Sequence, residues 1–176
     1  MSILDQHQAL MRGVIDVGLL RPQPTPPELE FEPFLQDPFL VAVPRSHRLA
    51  KRKRVALGSL AGEPMVIFPR AGGYTLFYSR IMAMCETAGF TPKVAQYASQ
   101  IHTVVGLVGA GIGVAIVPTT ARNLRPRGVH FLEITDRPEP MQVALAWLRG
   151  KKDIPAVRSF RDVTLQVVRH LAGRGR

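Results

Sequence analysis

Cysteine is nearly missing from this sequence: Cys85 is the only one in 176 residues. A lone thiol closes no intramolecular disulfide, supplies no resolving partner for a redox switch and builds no cysteine-based zinc site. Cys85 stands four residues after Ile81 in a helical pattern, so a buried, inert thiol is expected. Long hydrophobic runs are missing too, since no apolar stretch approaches the ~20 residues of a membrane span. The opening Met1-Ser2-Ile3-Leu4-Asp5 lacks the basic-then-apolar order of a signal peptide. A cytoplasmic protein with no membrane partner is expected. Catalytic signatures are lacking as well. There is no Gly-x-Ser-x-Gly elbow and no His-Glu-x-x-His, and His7, His47, His102, His130 and His170 are scattered singly. The expectation is a non-enzyme with no metal site and no cofactor.

Acids are scarce relative to bases. Thirteen Asp and Glu face 23 Lys and Arg, a formal net charge of +10. Arg45, Arg48, Lys51, Arg52, Lys53 and Arg54 crowd one run without an acid, Arg122, Arg125 and Arg127 form a second group, and Arg149, Lys151 and Lys152 a third. Such a surplus attracts polyanions at long range. These runs carry no interleaved aromatics and fall where loops are expected, so a solvated surface run is the expectation ahead of a nucleic-acid face.

The chain is 46% hydrophobic and 20% charged, enough to bury a core in one domain or two small lobes. Three segments repeat one plan, in which a helical pattern meets a glycine and then a β-branched run. Leu4, His7, Leu10 and Met11 precede Gly13 and the run Val14 to Leu20. Ile81, Met84, Cys85 and Ala88 precede Gly89 and Lys93 to Tyr97. Val104, Val105, Leu107 and Val108 precede Gly109-Ala110-Gly111, then Ile112 to Val117 and Pro118. Glycine just past a helix supplies the left-handed cap residue, and near-continuous Val and Ile suit strands covered on both faces. Further strands are expected at Glu30 to Leu35, Phe39 to Val43, Met65 to Phe68, Val129 to Ile134 and Gln142 to Leu148. The prolines between Pro22 and Pro27 mark a surface connection. Val157, Phe160, Val163, Thr164, Val167, Val168 and Leu171 form the stripe of a closing helix, and the tail from Ala172 to Arg176 is expected to fray. Helices alternating with strands predict α/β layers.

In order and spacing, four stretches resemble the LysR-type transcriptional regulators. They are Leu10 to Arg21 with its Gly13-x-x-Asp16 strand signature, Phe39 to Ala50, Leu57 to Pro64, and Val105 to Pro118. The resemblance covers roughly residues 4 to 171. It implies the effector-binding domain of that family: two Rossmann-like α/β lobes joined by a double crossover, similar to type 2 periplasmic binding proteins. Residues 1–44 with 147–176 then form the first lobe and 45–146 the second. The chain opens inside what should be the second helix, so the first lobe is expected to be incomplete. The family's winged helix-turn-helix is not among these residues, and DNA would be contacted through it. Self-association into dimers or tetramers is implied for the intact regulator.

Gly109-x-Gly111-x-Gly113 invites a nucleotide reading, but a phosphate-binding glycine loop follows a strand and opens a helix. Here the helix comes first, so these glycines cap it and let two layers approach. A binding cleft is better supported, since ligands of open α/β sheets lie beyond the carboxyl ends of parallel strands. Arg21 closes the strand ending at Leu20, and Pro69-Arg70-Ala71-Gly72-Gly73 closes the strand ending at Phe68, just before a helix starting around Tyr74 or Thr75. Ser99 is the expected N-cap of the next helix, leaving Gln100, His102 and Thr103 at its first turn. Helix N-termini and arginines together favour a small organic anion as effector. The resemblance adds an effector-contacting role at Arg21. Plainer readings stand beside these: Arg21 as an exposed loop residue, His102 and Thr103 as solvated first-turn residues, Phe68 and Phe77 as core. Two other functions fit the residues, a freestanding solute-binding module and a basic domain binding nucleic acid directly.

Overall fold

A computed structural model of the chain describes residues 3–22, 27–71 and 73–173. Gly72, most of the proline-rich connection (residues 23–26) and the last three residues of the expected frayed tail lie outside the described residues. The chain divides into two compact units, 1–36 with 141–176 and 37–140. The divisions fall earlier than the expected crossings at Pro44 and Ala146.

In the first unit, helix α1 (Ile3–Met11) is followed by strand β1 (Gly18–Leu20), and strand β2 (Leu29–Asp37) runs to the unit's edge. These two strands flank β9 (Met141–Leu148) in a three-stranded sheet of order β1-β9-β2. Its core joins Leu10, Leu20, Leu29 and Ala146 in one cluster and Leu145, Trp147 and Val157 in another. The Trp147 indole N–H donates to Glu30 at 3.0 Å, so the buried ring keeps its polar atom satisfied.

The strand expected from Val14 to Leu20 is shorter than its apolar run. Gly13 adopts φ +66°, and the amide of Val14 donates back to the Ala9 carbonyl at 2.8 Å. The helix end thus takes up the amides of the run's first residues, and Val14 is 71% exposed.

Helix α4 (Pro155–Gly173) carries the expected stripe, but among its described side chains only Val157 is buried, while Phe160, Val163 and Val167 are exposed. Arg161 instead fixes the early turns, donating to Glu32 at 2.6 Å.

The second unit holds a mixed sheet of order β4-β8-β3-β7. Its strands are β3 (Phe39–Pro44), β4 (Arg54–Val55), β7 (Ala115–Pro118) and β8 (Val129–Ile134). β3 pairs antiparallel with both β7 and β8, and every residue of β3 and β7 is buried, as near-continuous Val and Ile lead one to expect. A second, two-stranded parallel sheet joins β5 (Pro64–Ile67) to β6 (Lys93–Tyr97). β6 departs from the expectation of double coverage, being exposed throughout. Its Lys, Gln and Tyr suit an edge strand, where one side is open to water.

Helices α2 (Thr75–Thr87) and α3 (Ile101–Gly109) complete the unit. Gly89 and Gly111 take φ of +82° and +81° just past them, the left-handed conformation that ends each helix. The basic run is not a plain loop. Arg48–Lys51 forms a 3-10 turn anchored by buried Leu49, Arg54 enters β4, and Arg48 makes a two-pronged bond to Glu63 at 3.0 and 2.8 Å. Among the described residues no helix is long and apolar enough to cross a membrane.

The segment entering β7 crosses β5 at backbone distance. Val114 donates to the Pro64 carbonyl and Val66 to the Val114 carbonyl, both at 2.8 Å. A Cβ on Gly113 would overlap the Pro64 carbonyl oxygen and stand 2.8 Å from its carbon. Gly113→Ala is therefore expected to lose about 1–3 kcal/mol of unfolding free energy. Gly106→Ala, within α3 and with open space around its Cβ position, should gain about 0.5–1 kcal/mol. Urea denaturation of both variants checks the opposite signs. Burial pushes the Cys85 thiol up to about 11, so iodoacetamide at pH 8 should label it only on unfolding; rapid labelling of the native protein would contradict this placement.

Candidate functional site

β5 and β6 run parallel, and their last residues, Ile67 and Tyr97, are register partners. The amide of Ala98 donates to the Ile67 carbonyl at 3.0 Å, holding the strand ends together as they leave the sheet. Each strand then leads into a helix, β5 into α2 and β6 into α3. Two helix N-termini thus open at the carboxyl end of one small parallel sheet.

The loop between β5 and α2 is built from its flanks. Phe68 is buried and stacks on Phe77 with centroids 4.6 Å apart and on Tyr74 at 6.3 Å. Both Phe rings are core. Gly73 turns the chain with φ +83°, and the Thr75 hydroxyl donates to the Arg70 carbonyl at 2.9 Å, closing the loop on the first turn of α2. Arg70 and Ala71 are exposed and Pro69 half-buried.

The two helix starts meet side chain to side chain. Gln100 Nε2 donates to the Tyr74 hydroxyl at 2.7 Å. Ser99 is not the N-cap of α3. Gln100 holds that position with extended backbone, φ −113° and ψ 137°, and the helix begins one residue later than a Ser99 cap requires. Neither Tyr74 nor Gln100 caps its helix through its side chain. The first-turn amides of α3 at Ile101, His102 and Thr103 have no acceptor within the helix ladder, as at any helix start. Gln100, His102 and Thr103 are all exposed. Unshielded helix starts carry roughly half a positive charge each and stabilise a nearby anion by about 0.3–1 kcal/mol apiece at an exposed site. With the Arg70 guanidinium on the adjoining loop, this end of the second unit is electropositive and rich in hydrogen-bond donors.

Arg21 lies elsewhere, in the first unit, half-buried one residue beyond β1. The argument from parallel strand ends does not hold for it. Among the described residues β1 pairs with β9, and antiparallel, from Gly18 opposite Ala146 to Leu20 opposite Ala144. The structure therefore assembles Pro69, Arg70, Ala71, Gly73, Gln100, His102 and Thr103 at one end of one unit and leaves Arg21 in the other.

Tyr74 is the residue that sequence reasoning passed over. An aromatic after a glycine pair, at a helix start and six residues past a buried Phe, was its available signal. Among the described residues no group of three or more His, Cys, Asp or Glu is placed to hold a metal ion.

Comparison with known proteins adds a family. The profile of the LysR substrate binding domain matches residues 3–169. The HTH-type transcriptional regulator YnfL of Escherichia coli (strain K12) is 31% identical over 170 residues, covering 96% of this chain and 57% of that protein. The HTH-type transcriptional regulator AlsR of Bacillus subtilis (strain 168) is 34% identical over 158 residues, 88% of this chain and 51% of that protein. The chain thus spans about half the length of these relatives. Among solved structures, the effector binding domain of QuiR in complex with shikimate superposes with a TM-score of 0.81 at 22% identity, covering 97% of this chain and 79% of that one. The BenM effector binding domain with its effector benzoate gives 0.73 at 24%, covering 85% and 68%. These likenesses establish the fold, the type 2 periplasmic-binding-protein-like arrangement of such domains.

Proposed function

The chain belongs to the LysR substrate binding domain family, and from that premise we propose that it senses a small organic anion, an aromatic or dicarboxylic acid, and relays its presence to transcription. The observation that carries this reading is the Gln100–Tyr74 bond at 2.7 Å, which ties two helix starts without side-chain caps into one donor-rich end. Shikimate and benzoate, held by the two relatives named above, are both carboxylates, and a carboxylate matches first-turn amides, the Thr103 hydroxyl and the Arg70 guanidinium. Arg21 enters through the family resemblance alone.

A binding role rather than a catalytic one agrees with relatives named as transcriptional regulators. In the whole protein, a coupling of about 1–3 kcal/mol between effector and DNA sites suffices for control. DNA is contacted through a helix-turn-helix that these residues do not include, the intact regulator self-associates, and the site of action is the cytoplasm.

Native mass spectrometry of protein purified from its host is expected to reveal a co-purified acid. With that acid, Arg21→Ala should weaken calorimetric affinity at least tenfold, the loss of one charge-assisted hydrogen bond worth roughly 1.5–3 kcal/mol. Unchanged affinity removes Arg21 from the site. Tyr74→Phe deletes the acceptor for Gln100. It should weaken binding severalfold while lowering unfolding free energy by about 1 kcal/mol or less, because the bond is exposed. Full affinity in Tyr74→Phe would separate the Tyr74–Gln100 bond from effector binding.

A further inference from the structure

Two hollows of the second unit flank the segment 136–140, through which the chain leaves that unit, and both are lined by Phe39 and Pro138. They differ in what their arginines do. In the hollow beside α2, Arg80 is bound to Glu139 at 2.5 Å, so its charge is already answered within the protein. In the other, of about 460 Å³, Arg122 and Arg137 stand on the lining, and neither has a side-chain partner among the described residues. The one acid there, Glu133, faces Arg54 at 3.6 Å. Ile134, Pro138 and Pro140 join Phe39 to give an apolar wall. The volume lies within the range of small-molecule sites, which combine apolar walls with a few placed polar groups.

Arg137 is, with Arg125, one of two non-glycine residues of left-handed backbone among the described residues, and the one of them on this lining. Its backbone is left-handed, φ +49°, in a residue with a Cβ and a long side chain, where glycine would be free of strain. Strain of this kind persists where surroundings over-determine a conformation, and it concentrates at ligand clamps and switch regions.

From these residues we infer that the hollow formed by Phe39, Ile134, Pro138, Pro140, Arg122 and Arg137 is a second ligand site, selective for a compact apolar carboxylate. It is separate from the donor-rich end of β5 and β6 and shares no residue with it. Ring or branched carbon fills the proline-lined wall, and the carboxylate is held by the two guanidinium groups, whose planar donors match it. Because the hollow is lined by segment 136–140, occupancy stiffens the peptide joining the second unit to β9 of the first.

The test is an amide-resolved NMR titration of the whole chain carrying Arg21→Ala, with benzoate and with cyclohexanecarboxylate. Saturable shifts are expected at Leu40, Thr119 to Arg122, Ile134 and Arg137, distinct from shifts at Gly73 to Thr75 and Ile101 to Thr103, which report the site proposed above. Adding Arg122→Ala and Arg137→Gly should weaken the first set at least tenfold and leave the second unchanged. Glycine at 137 accepts the left-handed backbone, so loss of binding in that variant is not loss of fold; Arg137→Lys, keeping the charge, should retain partial binding. Benzyl alcohol, of similar shape without the charge, should shift these amides far more weakly. Absence of saturable shifts at the hollow with both acids overturns the proposal, whatever happens at the other set. Equal shifts with inorganic phosphate overturn it too, because they would mean a plain anion contact without apolar selectivity.

Discussion

The second unit depends on one place where two backbones meet with no side chain between them. Gly113 lies against Pro64, and reciprocal 2.8 Å hydrogen bonds through Val114 follow at once. This contact fixes β5 to the strand that enters β7, and through β7 to β3 and β8. Among the described residues β6 has no other sheet partner than β5. The loop after β5 and the start of α3 therefore inherit their placement from a glycine that lies 40 residues beyond Gly73 and 12 beyond Ile101 in sequence. Ligand-binding ends must be held to within fractions of an ångström to act as preorganised donors, and a backbone ladder is stiffer than any side-chain contact.

How much of this was legible beforehand follows from the range of the forces involved. Helix ends were legible because a left-handed residue is a local demand, met by Gly13, Gly89 and Gly111 at their own positions. So were β3 and β7, whose uninterrupted Val and Ile leave no polar face to turn outward. Strand extent was not, because Val14 and Ile15 give their amides to the end of α1, a competition that apolarity does not record. The burial of α4 was overestimated for a related reason. Periodicity states which face of α4 is apolar but not what covers it. The cap of α3 fell to Gln100 rather than Ser99 since the helix start is set where β6 releases the chain, not where the best capping side chain stands.

For the site, the loop after β5 and the first turn of α3 could be named from strand ends and capping chemistry. Their joining through Tyr74 and Gln100 could not, because it pairs residues 26 positions apart whose contact exists only once β5 and β6 lie parallel. The Gly-x-Gly-x-Gly run shows the same limit from the other side. As a string it suggests phosphate binding; as structure, one glycine ends α3, another meets Pro64, and Gly109 faces the Arg127 carbonyl at 2.7 Å from its would-be Cβ.

The scarcity of acids gains a structural meaning once seven of the thirteen are located. Glu63 is bound by Arg48 and by His47 at 3.2 Å, Glu139 by Arg80, Glu32 by Arg161, and Asp16 faces Lys151. Glu30 accepts from Trp147, Asp136 from the Leu57 amide, and buried Asp37 from the hydroxyls of Thr119 and Thr120 and from the Thr120 amide. Burial alone would raise the Glu63 carboxyl, yet His47 and Arg48 hold it below its ordinary value, so it stays charged where the fold needs it charged. With these seven acids committed to anchoring turns and edges, much of the excess of arginine has no acid paired with it among the described residues. It is left on loops and hollow rims such as those of Arg70, Arg122 and Arg137. Carboxylates used on structure in this way leave those loops and rims cationic, and the proposed recognition of an anion from outside rests on that charge.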